Sequence, residues 1–260
     1  MTPATRAEKL DALGRLLDIM DELRAGCPWD RKQTFQTLRP LTIEETYELA
    51  DALLADDLPA VEEELGDLLL HLVFYALIGQ ERGAFDIASV AHREAEKLIS
   101  RHPHIYGEVD VADEGEVKRN WERLKLKEKG RTTVLGGVPR GLPSLVKAVR
   151  LQEKTAQFGF EWEDAGQVLT KVEEELAELR EAIREGQGPQ RVEEEFGDVL
   201  FSLVNYARFL KLDPDAALER TNQKFKRRFD HVEAAAPKPL SDLTLAEMDA
   251  LWEEAKGRGL

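Results

Sequence analysis

The sequence predicts an all-α protein built as two tandem helical bundles. Ala, Leu, Glu, Arg and Lys dominate the chain, and the period-two alternation of a half-buried strand is scarce. One phrase is written twice: VEEELGDLLL at 61–70 and VEEEFGDVLF at 192–201 agree at seven of ten positions. Their offset of 131 residues is far longer than a solenoid unit, so the repeat reads as a duplicated domain.

The elements follow in chain order. The opening MTPATRAEKLDALGRLLDIM is amphipathic and lacks a signal-peptide core. CPWD (27–30) puts a Trp beside an acid ahead of the first acidic helix, as FEWED (160–164) does in the second copy. Pro40 marks a helix connection. Thr42, with Glu45 three places on, reads as a capping box that starts the first carboxylate helix. That helix ends near 55–60, and the next begins near Val61. In the second copy the equivalent turn is REGQGPQRV (184–192), with its break at Gly188-Pro189. Such short connections favour antiparallel neighbours, so a helical hairpin forms the centre of each copy. PHIYG (103–107) reads as a turn. KEKGRTTVLGGVPRGLPS (127–144) is dense in Gly and Pro and reads as a linker. The expected domains are 1–127 and 141–260, joined by 128–140.

Composition removes several functions. The formal net charge is -15, and 33% of residues are charged. A polymeric nucleic acid needs a basic footprint, which is missing. A small anionic substrate stays open, because a bound cation inverts the local charge. The apolar run from Leu68 to Gly79 is too short to span a bilayer. One cysteine, Cys27, makes no internal disulfide, so a cytoplasmic location is expected.

The acids carry the chemistry. Glu44, Glu45 and Glu48 match Glu174, Glu175 and Glu178, while Glu64 and Asp67 match Glu195 and Asp198. Residues three and four apart share a helix face. In a hairpin the EExxE face of one helix meets the ExxD face of the next. The second helix then runs LLLHLVFYAL or VLFSLVNYAR, apolar around most of its circumference, and is expected to be well buried. Acids aimed into such a bundle repel one another and are costly to desolvate. A hard divalent cation relieves both costs, and Mg2+ takes carboxylates, water and substrate phosphates. An isolated EEE run is ordinarily a solvated face; the paired pattern, repeated, is what points to metal. No His follows a Glu by three, as di-iron bundles require. Zinc lacks Cys and His ligands, and no GxxxxGK[ST] loop is present.

Basic and aromatic residues also recur. Lys97 and Arg101 match Lys224 and Arg228, and Trp121 and Lys125 match Trp252 and Lys256. Cations beside a carboxylate-bound metal suit a polyphosphate. A Trp stacks on a base or fills a core, and both readings stay open. So does a bundle that binds nucleotide or protein without turnover.

With EETYE and ELGD in the first copy, and EEELAE, EFGD, NQKFKRRF and the late Trp in the second, the chain resembles the MazG family of nucleoside triphosphate pyrophosphohydrolases over almost its whole length. The resemblance implies an all-α NTP pyrophosphatase fold, Mg2+ dependence, a homodimer, and hydrolysis of NTPs or dNTPs to nucleoside monophosphate and pyrophosphate. It implies Mg2+ ligation by Glu175, Glu178, Glu195 and Asp198. Nucleotide contacts would come from Lys171, Glu174, Lys224, Arg228 and Trp252, with Lys256 beside them. A second site would use Glu45, Glu48, Glu64 and Asp67. The first copy departs from the pattern: Ala95 stands where the second has Asn222, and KLISRH replaces KFKRRF. The second copy is therefore the expected catalytic one.

Overall fold

The computed structural model describes residues 3–111, 113, 115–117, 120–121, 124 and 133–260. Among these residues there are helices and turns and no strand. The chain divides into two compact units, Met1–Lys125 and Leu126–Leu260. Lys125 and the first part of the expected linker, 128–132, lie outside the described residues. Its remainder contains a single 3-10 turn, Leu135–Gly137.

In the first unit, α1 is Arg6–Gly26, α2 Phe35–Ala55, α3 Leu58–Glu81, α4 Ile87–Arg101 and α5 the single turn Pro103–Tyr106. A capping box of Thr5 and Glu8 starts α1, and Asp86 with Ser89 does the same for α4. α2 begins earlier than the sequence implied. Thr34 is its N-cap, with a reciprocal bond to Thr37, and Pro40 lies inside the helix. Thr42 is no cap: its hydroxyl donates to the Leu38 carbonyl at 3.1 Å and bonds the Tyr75 hydroxyl at 2.6 Å. A hydroxyl one turn from a backbone carbonyl has this alternative to capping. Pro40, the sixth residue of α2, leaves the Gln36 carbonyl without its usual intrahelical donor.

α2 and α3 form the expected hairpin. Asp56 closes α2 in the left-handed region at φ 56°, and Asp57 caps α3. Their apolar faces enclose Met20, Leu38, Val73, Phe74 and Ile78, backed by Leu16, Leu17, Phe35 and Tyr75. Arg24 of α1 closes the far end with a fork to Glu81, at 2.6 and 2.8 Å.

The second unit contains α6 Ser144–Ala156, α7 Ala165–Glu185, α8 Pro189–Phe209, α9 Pro214–Ala235 and α10 Leu245–Gly257. Asp164 caps α7 and Asp213 caps α9. Gly186 (φ 64°) ends α7, and Gly188 (φ 92°) turns the chain into Pro189 at the start of α8. α7 packs along α8, α6 crosses α8, and α10 lies on α9.

The central helices are less buried than their composition implied. Leu65 and Leu72 on α3 are 53% and 59% exposed; their counterparts on α8, Phe196 and Leu203, are 54% and 43% exposed. The neighbouring helices cover only part of each apolar circumference. The same stripe is thus left open in both units.

Candidate functional site

In the second unit α7 and α8 bring the predicted acids together. Glu175, Glu195 and Asp198 each offer an oxygen within 4.8 Å of the others. Glu175 and Glu195 are buried and Asp198 is exposed, so the cluster has a dry base and an open mouth. Glu178 is exposed and stands outside this triad, although its charge acts on Glu195. Burial holds the Glu195 carboxyl above its usual range. The Arg191 cation pulls it back down, while Glu178, Asp198 and Glu175 push it further up.

Two cations balance the cluster. Lys171, one turn before the acids, bonds Glu174 at 2.7 Å and Glu175 at 2.8 Å, and these carboxylates raise its own pKa. Arg191 pairs with Glu195 one turn along α8. The sequence reading had no role for Arg191; its i,i+4 spacing to Glu195 was the available signal. Even so, Glu195 Oε2 is buried without a hydrogen-bond partner. A buried carboxylate oxygen normally has one. Hard oxygen donors, an unsatisfied oxygen and a solvent-facing third acid fit a divalent cation such as Mg2+.

The first unit repeats the design with a difference. Glu45, Glu48 and Glu64 offer oxygens within 4.8 Å of one another, and Glu64 Oε2 is buried and unbonded. Asp67 stands outside this triad, and its charge raises Glu45 and Glu64. Burial is the larger cause of both shifts. Leu41 and Ala60 occupy the places of Lys171 and Arg191. Neither cation that balances the second cluster is repeated here.

Of the predicted nucleotide contacts, Lys171 and Glu174 join the cluster, and the others lie on α9 and α10. Arg228 lies over the Trp252 ring at 5.6 Å and donates to the Leu260 carbonyl at 2.7 Å. Phe225 packs on the same indole, with centroids 5.0 Å apart. Lys256 pairs with Glu253 at 2.7 Å, and Lys224 is exposed. The first unit repeats the Arg–Trp contact, with Arg101 over Trp121 at 5.4 Å. This recurring pair therefore ties helices within each unit, a cation–π contact that composition alone did not distinguish from base stacking. Lys97 pairs with Glu94.

Comparison with known proteins agrees with this layout. The family model for the MazG nucleotide pyrophosphohydrolase domain matches residues 33–106 and 165–233, one segment in each unit. The chain is 45% identical over 249 residues to a nucleoside triphosphate pyrophosphohydrolase/pyrophosphatase MazG of Thermotoga maritima, covering 93% of this chain and 94% of that protein. It is 40% identical over 257 residues to a nucleoside triphosphate pyrophosphohydrolase of Escherichia coli K12, covering 95% and 98%. An uncharacterized Bacillus subtilis protein, YabN, is 44% identical over 263 residues, spanning 98% of this chain and 54% of its own length. Two matched segments, one on each carboxylate hairpin, and near full-length identity to named members place this chain in the MazG nucleotide pyrophosphohydrolase family.

Proposed function

We propose that this protein is an enzyme that hydrolyses nucleoside triphosphates, NTP or dNTP, to nucleoside monophosphate and pyrophosphate. The observation that carries the reading is the buried, unbonded oxygen of Glu195 inside the Glu175–Glu195–Asp198 triad. That triad would hold Mg2+, with Glu178 beside it. A bound Mg2+ supplies Lewis-acid polarisation of phosphate oxygens and lowers the pKa of a coordinated water.

The chain's own groups do the rest. Glu174 is exposed at the mouth and held by Lys171; it orients the attacking water and takes its proton. Water adds to phosphorus, the bridge between the α and β phosphates breaks, and its oxygen leaves on pyrophosphate. Lys171 balances charge at the cluster. Lys224, exposed on α9, would balance charge on the leaving pyrophosphate, and Arg228 would do so on leaving its contacts with Trp252 and Leu260. The second unit is the proposed catalytic one, because among the described residues it is the one whose triad has Lys171 and Arg191 paired to it. Its domain would span 141–260, with 1–127 as the partner domain and 128–140 between them.

A homodimer is proposed on the open apolar stripe of Phe196, Leu200 and Leu203, which a second copy would cover. Among the described residues no helix is long and apolar enough to cross a membrane. A cytoplasmic location is proposed on the single thiol, Cys27.

Product analysis tests the reading. Each NTP and dNTP is incubated with and without Mg2+, and products are separated by ion exchange. Monophosphate plus pyrophosphate, only with Mg2+, is expected. Diphosphate plus phosphate overturns the cleavage site, and intact nucleotide overturns the hydrolase.

A further inference from the structure

Lys171 and Arg191 sit on the very oxygens that a cation would need. Lys171 Nζ lies 2.8 Å from Glu175 Oε1, and Arg191 is paired to Glu195 Oε1. Glu175 and Glu195 are the two buried members of the triad. One oxygen of each buried carboxylate is thus already taken by a cation of the chain. α7 and α8 run antiparallel, and each cation stands one turn before its acid. The two therefore flank the cluster from opposite ends. A divalent cation that enters meets two positive charges on its own ligands, and they repel it.

The hold is easily released. Among the described residues, each cation forms its ion pairs with acids of its own helix: Lys171 with Glu174 and Glu175, Arg191 with Glu194 and Glu195. Pairs at this spacing are weak where they face water. The Lys171 side chain is 33% exposed and that of Arg191 50%, so both can swing outward without opening the core. A polyphosphate at the mouth competes for both, since its oxygens carry several negative charges and match the arginine fork. The first unit has Leu41 and Ala60 at the two places, so its acids stand without this hold.

We infer that Lys171 and Arg191 gate the second site: they hold its buried ligands against free divalent cation, and a bound triphosphate draws them off, so that cation and nucleotide fill the site together. The inference rests on the proposed NTP chemistry for its substrate. Such coupling is reciprocal, so the factor by which triphosphate raises cation affinity is also the factor by which cation raises triphosphate affinity.

The test counts free Mn2+ by electron paramagnetic resonance as the ion is titrated into the whole chain without nucleotide. All proteins carry Glu64→Gln, which disables the first unit's cluster, and a mildly alkaline buffer keeps the carboxyls ionised. Adding Lys171→Met should tighten Mn2+ binding roughly tenfold, the effect of one unit charge on a divalent cation about 6 Å away even in a water-like medium. Lys171→Arg keeps the charge and should keep the parent affinity. A lysine that only braced the helices would give the opposite sign, because its loss would loosen and weaken the site. Lys171→Met should also bind the uncleavable α,β-methylene NTP more weakly than the parent, by calorimetry with saturating Mn2+, since the phosphates lose a cation. Arg191→Gln should shift both affinities the same way, and it decides if Lys171→Met fails to fold. Unchanged or weaker Mn2+ binding in a folded variant overturns the gate. So does unchanged or tighter binding of the analogue, because the cation then never leaves for the phosphates. Pyrophosphate release with Mg2+ is followed separately on the unsubstituted chain. Release without the Mn2+ tightening removes the gate and leaves the hydrolase standing; tightening without release does the reverse.

Discussion

Arg191 and Glu195 form an ion pair one turn apart on α8, with Glu195 2% exposed and Arg191 half in solvent. The arginine screens a carboxylate that burial and three neighbouring acids push toward its protonated form. Arg191→Gln removes that screen. The expected result is a lower melting temperature without divalent cation, with most of the loss recovered on adding Mg2+. Calorimetric melting checks this; an unchanged melting point in metal-free buffer contradicts it.

Glu195 is also a proposed ligand of the metal. Loss of partners around a metal's ligands costs about 10–100-fold, and a ligand itself costs more. Glu195→Gln should therefore lower pyrophosphate release by more than about 100-fold, and Glu64→Gln in the first unit should change it far less. Comparable losses in both variants would show that both units act.

Cation binding to the folded chain should raise its stability by mass action, about 2.7 kcal/mol at 100 times the dissociation constant. Melting curves across a Mg2+ titration read it directly. The shift should shrink in Glu195→Gln, and a shift of full size there would place the cation elsewhere.

Glu247 offers a clean pH test. Its carboxylate accepts the Thr244 backbone N–H at 2.7 Å, and that bond, with Lys238 and the Thr244 hydroxyl, lowers its pKa from 4.5 to about 2. A carboxylate depressed in the folded state contributes stability above its unfolded value and loses it as pH falls through the folded one. Glu247→Gln should thus melt lower than the parent at pH 7. The gap should begin to close below about pH 4.5 and vanish near pH 2. A gap independent of pH contradicts the capping account.

Phe74 is 2% exposed in the first core. Phe74→Ala should cost about 3–5 kcal/mol in denaturant unfolding. A loss under about 1 kcal/mol would mean that the site collapses around the smaller side chain.

Much was legible from the sequence because it is local. Helix-rich composition, the duplicated acidic phrase, and the Gly188-Pro189 turn are one-dimensional signals. Helical spacing alone put Glu195 beside Asp198. Local rules also misled: Thr42 and Glu45 have capping-box spacing, yet the N-cap is Thr34, eight residues earlier. The Trp252–Lys256 recurrence suited a nucleotide contact as well as a core, and the Arg228 guanidinium over the indole favours packing.

By itself, then, the sequence determined the all-α class, the two copies and the two sets of carboxylates, since helix periodicity fixes which side chains share a face. Tertiary structure decided which acids meet: Glu175 joins Glu195 and Asp198, and Glu178 stays outside. It also decided that Gln152 is buried with its Oε1 unpartnered. Burial and unmet hydrogen bonds arise only where helices pack, and no spacing along one helix encodes what the next one covers.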